Sequence, residues 1–205
     1  MVSAPADLHV EEDAEGVRTW RNRQGQLHRE DGPAIERPDG SWEWYLNDQQ
    51  HREDGPAVRY WDGTLAWYRN GLRTRDDGPA MVGSDGERRW SKDGKLHRED
   101  GPAIEDKHGS LYWYIAGKLH REDGPAIESV TGTRIWYRDG KEHREDGPAR
   151  ELSDGTLEWY LDGFSLSEEK WRVMSEEIRR DRLLTQQAEV TITPGQRVRP
   201  SSLGE

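Results

Sequence analysis

The sequence predicts an all-β fold: an elongated antiparallel β-hairpin repeat array on a 23-residue period, closed by a short C-terminal capping helix. Three observations predict it. Gly-Pro-Ala starts at Gly32, Gly55, Gly78, Gly101, Gly124 and Gly147, always 23 residues apart, and self-similarity at a fixed period is the signature of a repeat architecture. Two tight-turn signals recur in nearly every period. Ten Trp and seven Tyr furnish aromatic area to a chain in which Leu, Ile, Val and Phe total only 32 of 205 residues. So few aliphatics would suit a disordered chain, but disordered chains are poor in aromatic rings, each of which removes a large apolar area from water when buried.

The elements follow in chain order. Residues 1–15 hold five acids and no Lys or Arg and read as a disordered acidic tail. The array occupies 16–163, with six full units and a degenerate half-unit in front, whose Gly16 and Trp20 sit one residue early. His-Arg-Glu-Asp precedes Gly-Pro-Ala from His28, His51, His97, His120 and His143, and the third copy reads Thr74-Arg75-Asp76-Asp77 instead. Pro cannot donate a ladder hydrogen bond, and Gly32 tolerates unusual dihedrals. A kink or bulge is therefore expected at Asp-Gly-Pro. The small Ala that follows allows close approach of neighbouring backbones.

The first turn signal is Pro38-Asp39-Gly40-Ser41, repeated as Trp61-Asp62-Gly63-Thr64 and Ser153-Asp154-Gly155-Thr156. The second is Arg69-Asn70-Gly71-Leu72, repeated as Lys92-Asp93-Gly94-Lys95 and Arg138-Asp139-Gly140-Lys141. Asn-Gly and Asp-Gly supply the positive φ that tight turns between antiparallel strands require. Between the two turns lies one strand such as Ser41-Trp42-Glu43-Trp44-Tyr45-Leu46, whose Trp42, Trp44 and Leu46 share a face by alternation. Two strands per unit make a long meander in preference to a solenoid with one coil per rung, and at ~4.8 Å per strand six units span roughly 60 Å.

Residues 164–187 break the period as a helical cap. Ser167 is suited to the N-cap, with Glu168 and Glu169 at the positive end of the helix dipole. Leu166 and Trp171 have the spacing of a hydrophobic staple, and Trp171, Met174 and Ile178 form one apolar stripe. Such a helix covers the last open edge of a repeat array. Residues 188–205, with Pro194, Gly195 and Pro200, read as a second disordered tail.

Composition narrows the function. The chain carries 30 Lys and Arg against 41 Asp and Glu, a formal charge of −11, which disfavours nucleic acid and anionic lipid as partners. No apolar run approaches the ~20 residues of a membrane helix, and no basic start followed by an apolar stretch marks a secretory signal. Cys is absent, which excludes thiol nucleophiles and thiolate metal sites and fits a reducing, cytoplasmic setting.

The Trp column (Trp44, Trp67, Trp90, Trp113, Trp136, Trp159) and the Tyr that follows it in all but one unit, on the same period as glycine, resemble the MORN family in its MORN-variant branch. Trp67-Tyr68-Arg69-Asn70-Gly71 and Trp136-Tyr137-Arg138-Asp139-Gly140 carry the likeness. The added His-Arg-Glu-Asp-Gly-Pro-Ala is similar to repeats in bacterial, phage and giant-virus proteins. The resemblance implies an elongated hairpin scaffold that contacts proteins, and a phage or viral setting.

His beside Glu and Asp invites a catalytic or metal reading. A catalytic site gathers one set of different residues in one pocket, whereas these four recur five times. The expected role is a structural ladder in which Asp caps its turn and Arg and His pair with acids of adjacent units. Thr74 in the His column argues against a metal at every step, so no metal or cofactor is assigned. The Trp column is expected in the core. Tyr45, Tyr68, Tyr114, Tyr137 and Tyr160 point to the other face and form the candidate binding stripe, since Tyr joins apolar area to a hydroxyl. The expected function is a non-enzymatic scaffold whose partner is another protein. Its alternative is a ligand-sequestering or carbohydrate-binding protein with repeated, equivalent pockets.

Overall fold

The structure, a computed structural model, describes residues 8–191. Each unit places a short hairpin in one continuous 15-stranded antiparallel sheet. The sheet hairpins include Ile35–Glu36 with Trp42–Glu43, Ile104–Glu105 with Leu111–Tyr112, and Ile127–Glu128 with Arg134–Ile135. Successive units join through pairs such as Trp42↔Arg59 and Glu43↔Val58. The fourteen steps between fifteen strands span roughly 65 Å at ~4.8 Å each. The meander expected from the two turn signals is thus the observed topology.

The single strand expected over 41–46 is instead two. Trp42–Glu43 stays in the sheet, while Tyr45–Leu46 pairs with Gln49–Gln50 in a side hairpin. Trp44 is the fork: its N–H donates to Ala57 O (2.7 Å) and its C=O accepts from His51 N (3.1 Å), the two ends of the limb that follows it. Tyr68–Arg69 with Leu72–Arg73, Tyr114–Ile115 with Lys118–Leu119, and Tyr137–Arg138 with Lys141–Glu142 repeat the arrangement. Neighbouring side hairpins are stitched by two backbone bonds per junction, for example Gly71 N to Gln50 O (2.9 Å) and Arg52 N to Tyr68 O (3.0 Å). Alternation holds across the fork, so Tyr45 and Glu43 share one face and the Trp44 ring lies on the other.

Both turn types form as read. In the side hairpins both central residues have positive φ, as at Asn70 (49°) and Gly71 (75°), the geometry that matches strand twist. In the sheet hairpins Asp39 Oδ1 accepts from Ser41 N (2.8 Å) ahead of the positive-φ Gly40. The Asp-Gly-Pro limb leaves the strand geometry, and the Ala after it is fully buried at Ala34, Ala57, Ala80, Ala103, Ala126 and Ala149. Backbone-to-backbone proximity at this Ala, not the Trp ring, is therefore the most enclosed part of each unit. The Trp rings are half-buried, which corrects their expected place in a closed core.

The ends also differ from expectation. Within the segment read as an acidic tail, His9–Glu12 pairs with Arg18–Arg21 and begins the sheet. The backbone ladder sets that strand, and its side chains stay exposed, which is why its acidic composition did not reveal it. Residues 1–7 lie outside the described residues. At the other end Phe164–Leu166 is the last sheet strand, paired with Leu157–Leu161, and the helix runs Glu168–Thr191. Ser167 Oγ accepts from Lys170 N (3.3 Å), the N-cap bond expected there. The helix thus takes in four residues assigned to the C-terminal tail, and the rest of that tail, 192–205, lies outside the described residues. Among the described residues no helix is long and apolar enough to cross a membrane.

Candidate functional site

The His-Arg-Glu-Asp-Gly-Pro motif folds around its arginine. Arg121 lies over the Trp113 ring with its guanidinium carbon 4.0 Å from the centroid. Its Nε donates to Asp123 Oδ1 (3.0 Å), and Nη1 donates to Pro125 O (3.2 Å) and Glu128 Oε1 (2.7 Å). The same stack joins Arg29–Trp20, Arg52–Trp44, Arg75–Trp67, Arg98–Trp90 and Arg144–Trp136, at 3.8–4.3 Å. The bonded guanidinium holds the Asp31, Asp54, Asp77, Asp100 and Asp123 carboxyls below the usual range. Gly124 leaves room for the stack: an added Cβ would lie 2.9 Å from the Arg121 guanidinium carbon, so the guanidinium would have to shift. Close approach, and not an unusual φ, explains the glycine.

The ladder is therefore mostly within the motif, where pairing between adjacent units was expected, and Asp bonds the arginine instead of capping a turn. Histidine does bridge units. His120 Nδ1 accepts from Asp139 N (3.2 Å) in the next side-hairpin turn, as His51 does from Asn70 and His97 from Ala116. Its Nε2 faces the Glu two residues on, as at His51–Glu53 (2.9 Å). The ring thus supplies an acceptor where the ladder between side hairpins lacks a carbonyl.

Alternation along the strand sets the five tyrosines on the opposite side from the Trp stacks, and all five are half-buried. Tyr45 donates to Glu43 Oε2 (2.8 Å), and Gln50 Nε2 donates to the same carboxylate (2.9 Å). Tyr137 donates to Glu142 Oε1 (3.0 Å), which also takes Arg150 Nε (2.8 Å). Burial, reinforced by the bonded carboxylate, pushes both phenols up to about 12. Burial also raises Tyr114. Tyr160 donates to Glu158 (3.4 Å) under the Arg150 guanidinium. Tyr68 pairs across its hairpin with Arg73.

Clefts separate consecutive arginine loops on the Trp side. Those beside Trp67, Trp90, Trp113 and Trp136 measure about 240, 650, 890 and 720 Å³. The last differs, because the helix adds Arg179 and Arg182 to its wall. There Glu145, exposed in its counterparts, is largely enclosed and accepts from His143 Nε2 (3.1 Å), Arg138 Nη1 (2.9 Å) and Arg182 Nη2 (2.6 Å). Burial would raise its carboxyl, but the bonds from Arg182, His143 and Arg138 prevail and hold it down to about 2. Among the described residues no group of three or more His, Cys, Asp or Glu is placed to hold a metal ion.

Sequence reasoning missed the Arg–Trp stack, although Arg follows Trp by eight residues in every full unit that has a successor. It also missed the Glu145 hub, whose signal was the arginine spacing on the helix. Neither a protein-family model nor a curated protein matches the chain.

Proposed function

We propose that this protein is a non-enzymatic scaffold that binds another protein along the row of Tyr45, Tyr68, Tyr114, Tyr137 and Tyr160. The observation that carries the reading is the placement of these rings: one side of the array, one in every full unit but the third, half-buried, with each unit two strands (~10 Å) from the next. A half-buried ring held by a fixed neighbour loses little freedom when a partner covers it, which favours Tyr at interfaces. The likeness to MORN-type arrays supports the same reading. The equivalence of the arginine motifs supports a non-enzymatic role, because their polar groups already satisfy one another. Capture from host lysate on the full chain tests it, alongside a variant with Tyr68, Tyr114 and Tyr137 changed to Ser. One protein retained at unit stoichiometry by the native chain, and lost from a variant with unchanged circular dichroism, is expected. Equal retention by both contradicts the reading.

A second reading rests on the clefts beside Trp67, Trp90, Trp113 and Trp136. Clefts repeated at successive arginine loops suit small ligands, taken up at several copies per chain. Native mass spectrometry of the captured species separates the two readings by stoichiometry.

A further inference from the structure

The tyrosine row has one interruption. Ser91 stands in the Tyr column, paired with Leu96 in its side hairpin, and the backbone bonds Gly94 N to Arg73 O (3.0 Å) and Arg75 N to Ser91 O (3.4 Å) set it beside Arg73. Ser91 is 3% exposed. Its Oγ and the Nε of Arg73 are buried side-chain polar atoms without a hydrogen-bond partner, the two such atoms among the described residues. Elsewhere on this side arginines grip carboxylates: Arg37 holds Glu43 (2.6 Å), Arg89 holds Glu87 (2.7 Å) and Arg150 holds Glu142 (2.6 Å). Among the described residues the Arg73 guanidinium has no carboxylate partner: it makes one soft hydrogen bond, Nη1 to Met81 Sδ at 3.8 Å, with the Tyr60 phenol nearby. The His column fails at the same junction, where Thr74 stands in place of His.

A buried polar atom left unpaired pays its desolvation penalty without return, so such an atom in a native fold calls for an explanation. In a chain of charge −11, a part-buried guanidinium lacking an acid is the natural seat for one. Its planar fork matches a carboxylate in two-point fashion. Building on the scaffold reading, we propose that Arg73, at the Ser91 gap, receives an aspartate or glutamate side chain of the bound protein. A repeating surface offers a partner several equivalent registers, each displaced by one unit. One acid on the partner lifts that degeneracy: it is welcomed at Arg73 and repelled by the carboxylates elsewhere along the array.

The test needs no partner. The Arg Nε–Hε resonances of the full chain are followed by NMR as acetate replaces chloride at constant ionic strength. The expected result is a saturable shift of the Arg73 signal in the millimolar range, with those of Arg37, Arg89 and Arg150 unmoved. Changing Ser91→Tyr, which restores the ring, weakens that response at least tenfold. No shift at Arg73, or an equal shift at all four arginines, overturns the proposal. In the capture experiment, R73Q is expected to lose the protein that the native chain retains. If R73Q retains it while the triple Tyr variant does not, the register site fails and the scaffold stands. If acetate binds Arg73 but no protein depends on the tyrosines, the scaffold reading fails and the carboxylate site stands by itself.

Discussion

Trp171 of the helix lies on Trp159 with ring centroids 4.4 Å apart and planes tilted by 45°. Each of the six earlier rings of this column, Trp20, Trp44, Trp67, Trp90, Trp113 and Trp136, carries an arginine guanidinium at 3.8–4.3 Å. The array ends because Phe164-Ser165-Leu166-Ser167 replaces His-Arg-Glu-Asp, and the helix then supplies a ring in place of the missing guanidinium. Trp171 Nε1 also donates to Arg144 O (2.8 Å), tying the helix to the preceding motif.

Trp171→Ala should therefore cost about 3–4 kcal/mol, in the range of large aromatic truncations. Trp171→Phe keeps a ring and loses the bond to Arg144, costing about 1 kcal/mol. Urea unfolding measures both. Hydrogen exchange should show the Ala variant opening first at 157–166.

Arg121→Lys should destabilise the array by about 1–2 kcal/mol although charge is kept, because an ammonium cannot lie flat on Trp113 while meeting Asp123, Pro125 and Glu128. Gly124→Ala attacks the same guanidinium from its other side, so it should cost less once Arg121 is already Ala. A double-mutant cycle by urea unfolding reads that coupling.

Ala116 occupies a side-hairpin turn with φ of 50°, where Asn70, Asp93, Asp139 and Asp162 stand in other units. An alanine pays a steric penalty in this region that Asn escapes. Ala116→Asn should raise stability by about 0.5–1 kcal/mol, visible as a higher thermal midpoint.

Glu145 gives an acid transition at the cap. Its folded carboxyl titrates at about 2 against an ordinary 4.5, so its contribution is complete above about 4.5 and fades as pH falls toward 2. Full protonation removes at most about 3 kcal/mol, and less to the extent that solvent screens the hub. Tryptophan fluorescence should report loosening of the Trp159–Trp171 stack over that window, and Glu145→Gln should remove this transition at the cap while lowering stability at neutral pH.

Much of this fold was legible because the repeat fixes it locally. Asn70-Gly71 and Asp39-Gly40-Ser41 specify their turns through backbone dihedrals alone, and Ser167 specifies the helix start through one oxygen. The side of the Tyr column followed from alternation. The fork at Trp44 was not legible, since it arises from competition between Ala57 O on one side and His51 N on the other, two partners outside the strand. The His9–Glu12 strand was hidden because its pairing is wholly backbone and its exposed side chains carry no apolar alternation. The register of candidate binding residues was readable, but the unmatched Arg73 was not. Its isolation depends on where Glu43, Glu87 and Glu142 fall in three dimensions.

The central claim is that the partner lies on the tyrosine side. Hydrogen–deuterium exchange of the full chain, alone and with the captured protein, tests it most directly. Protection is predicted at 68–73, 91–96, 114–119 and 137–142, recurring on the 23-residue period. Protection confined to the arginine loops at 97–101, 120–124 and 143–147, with the tyrosine hairpins unchanged, would contradict it.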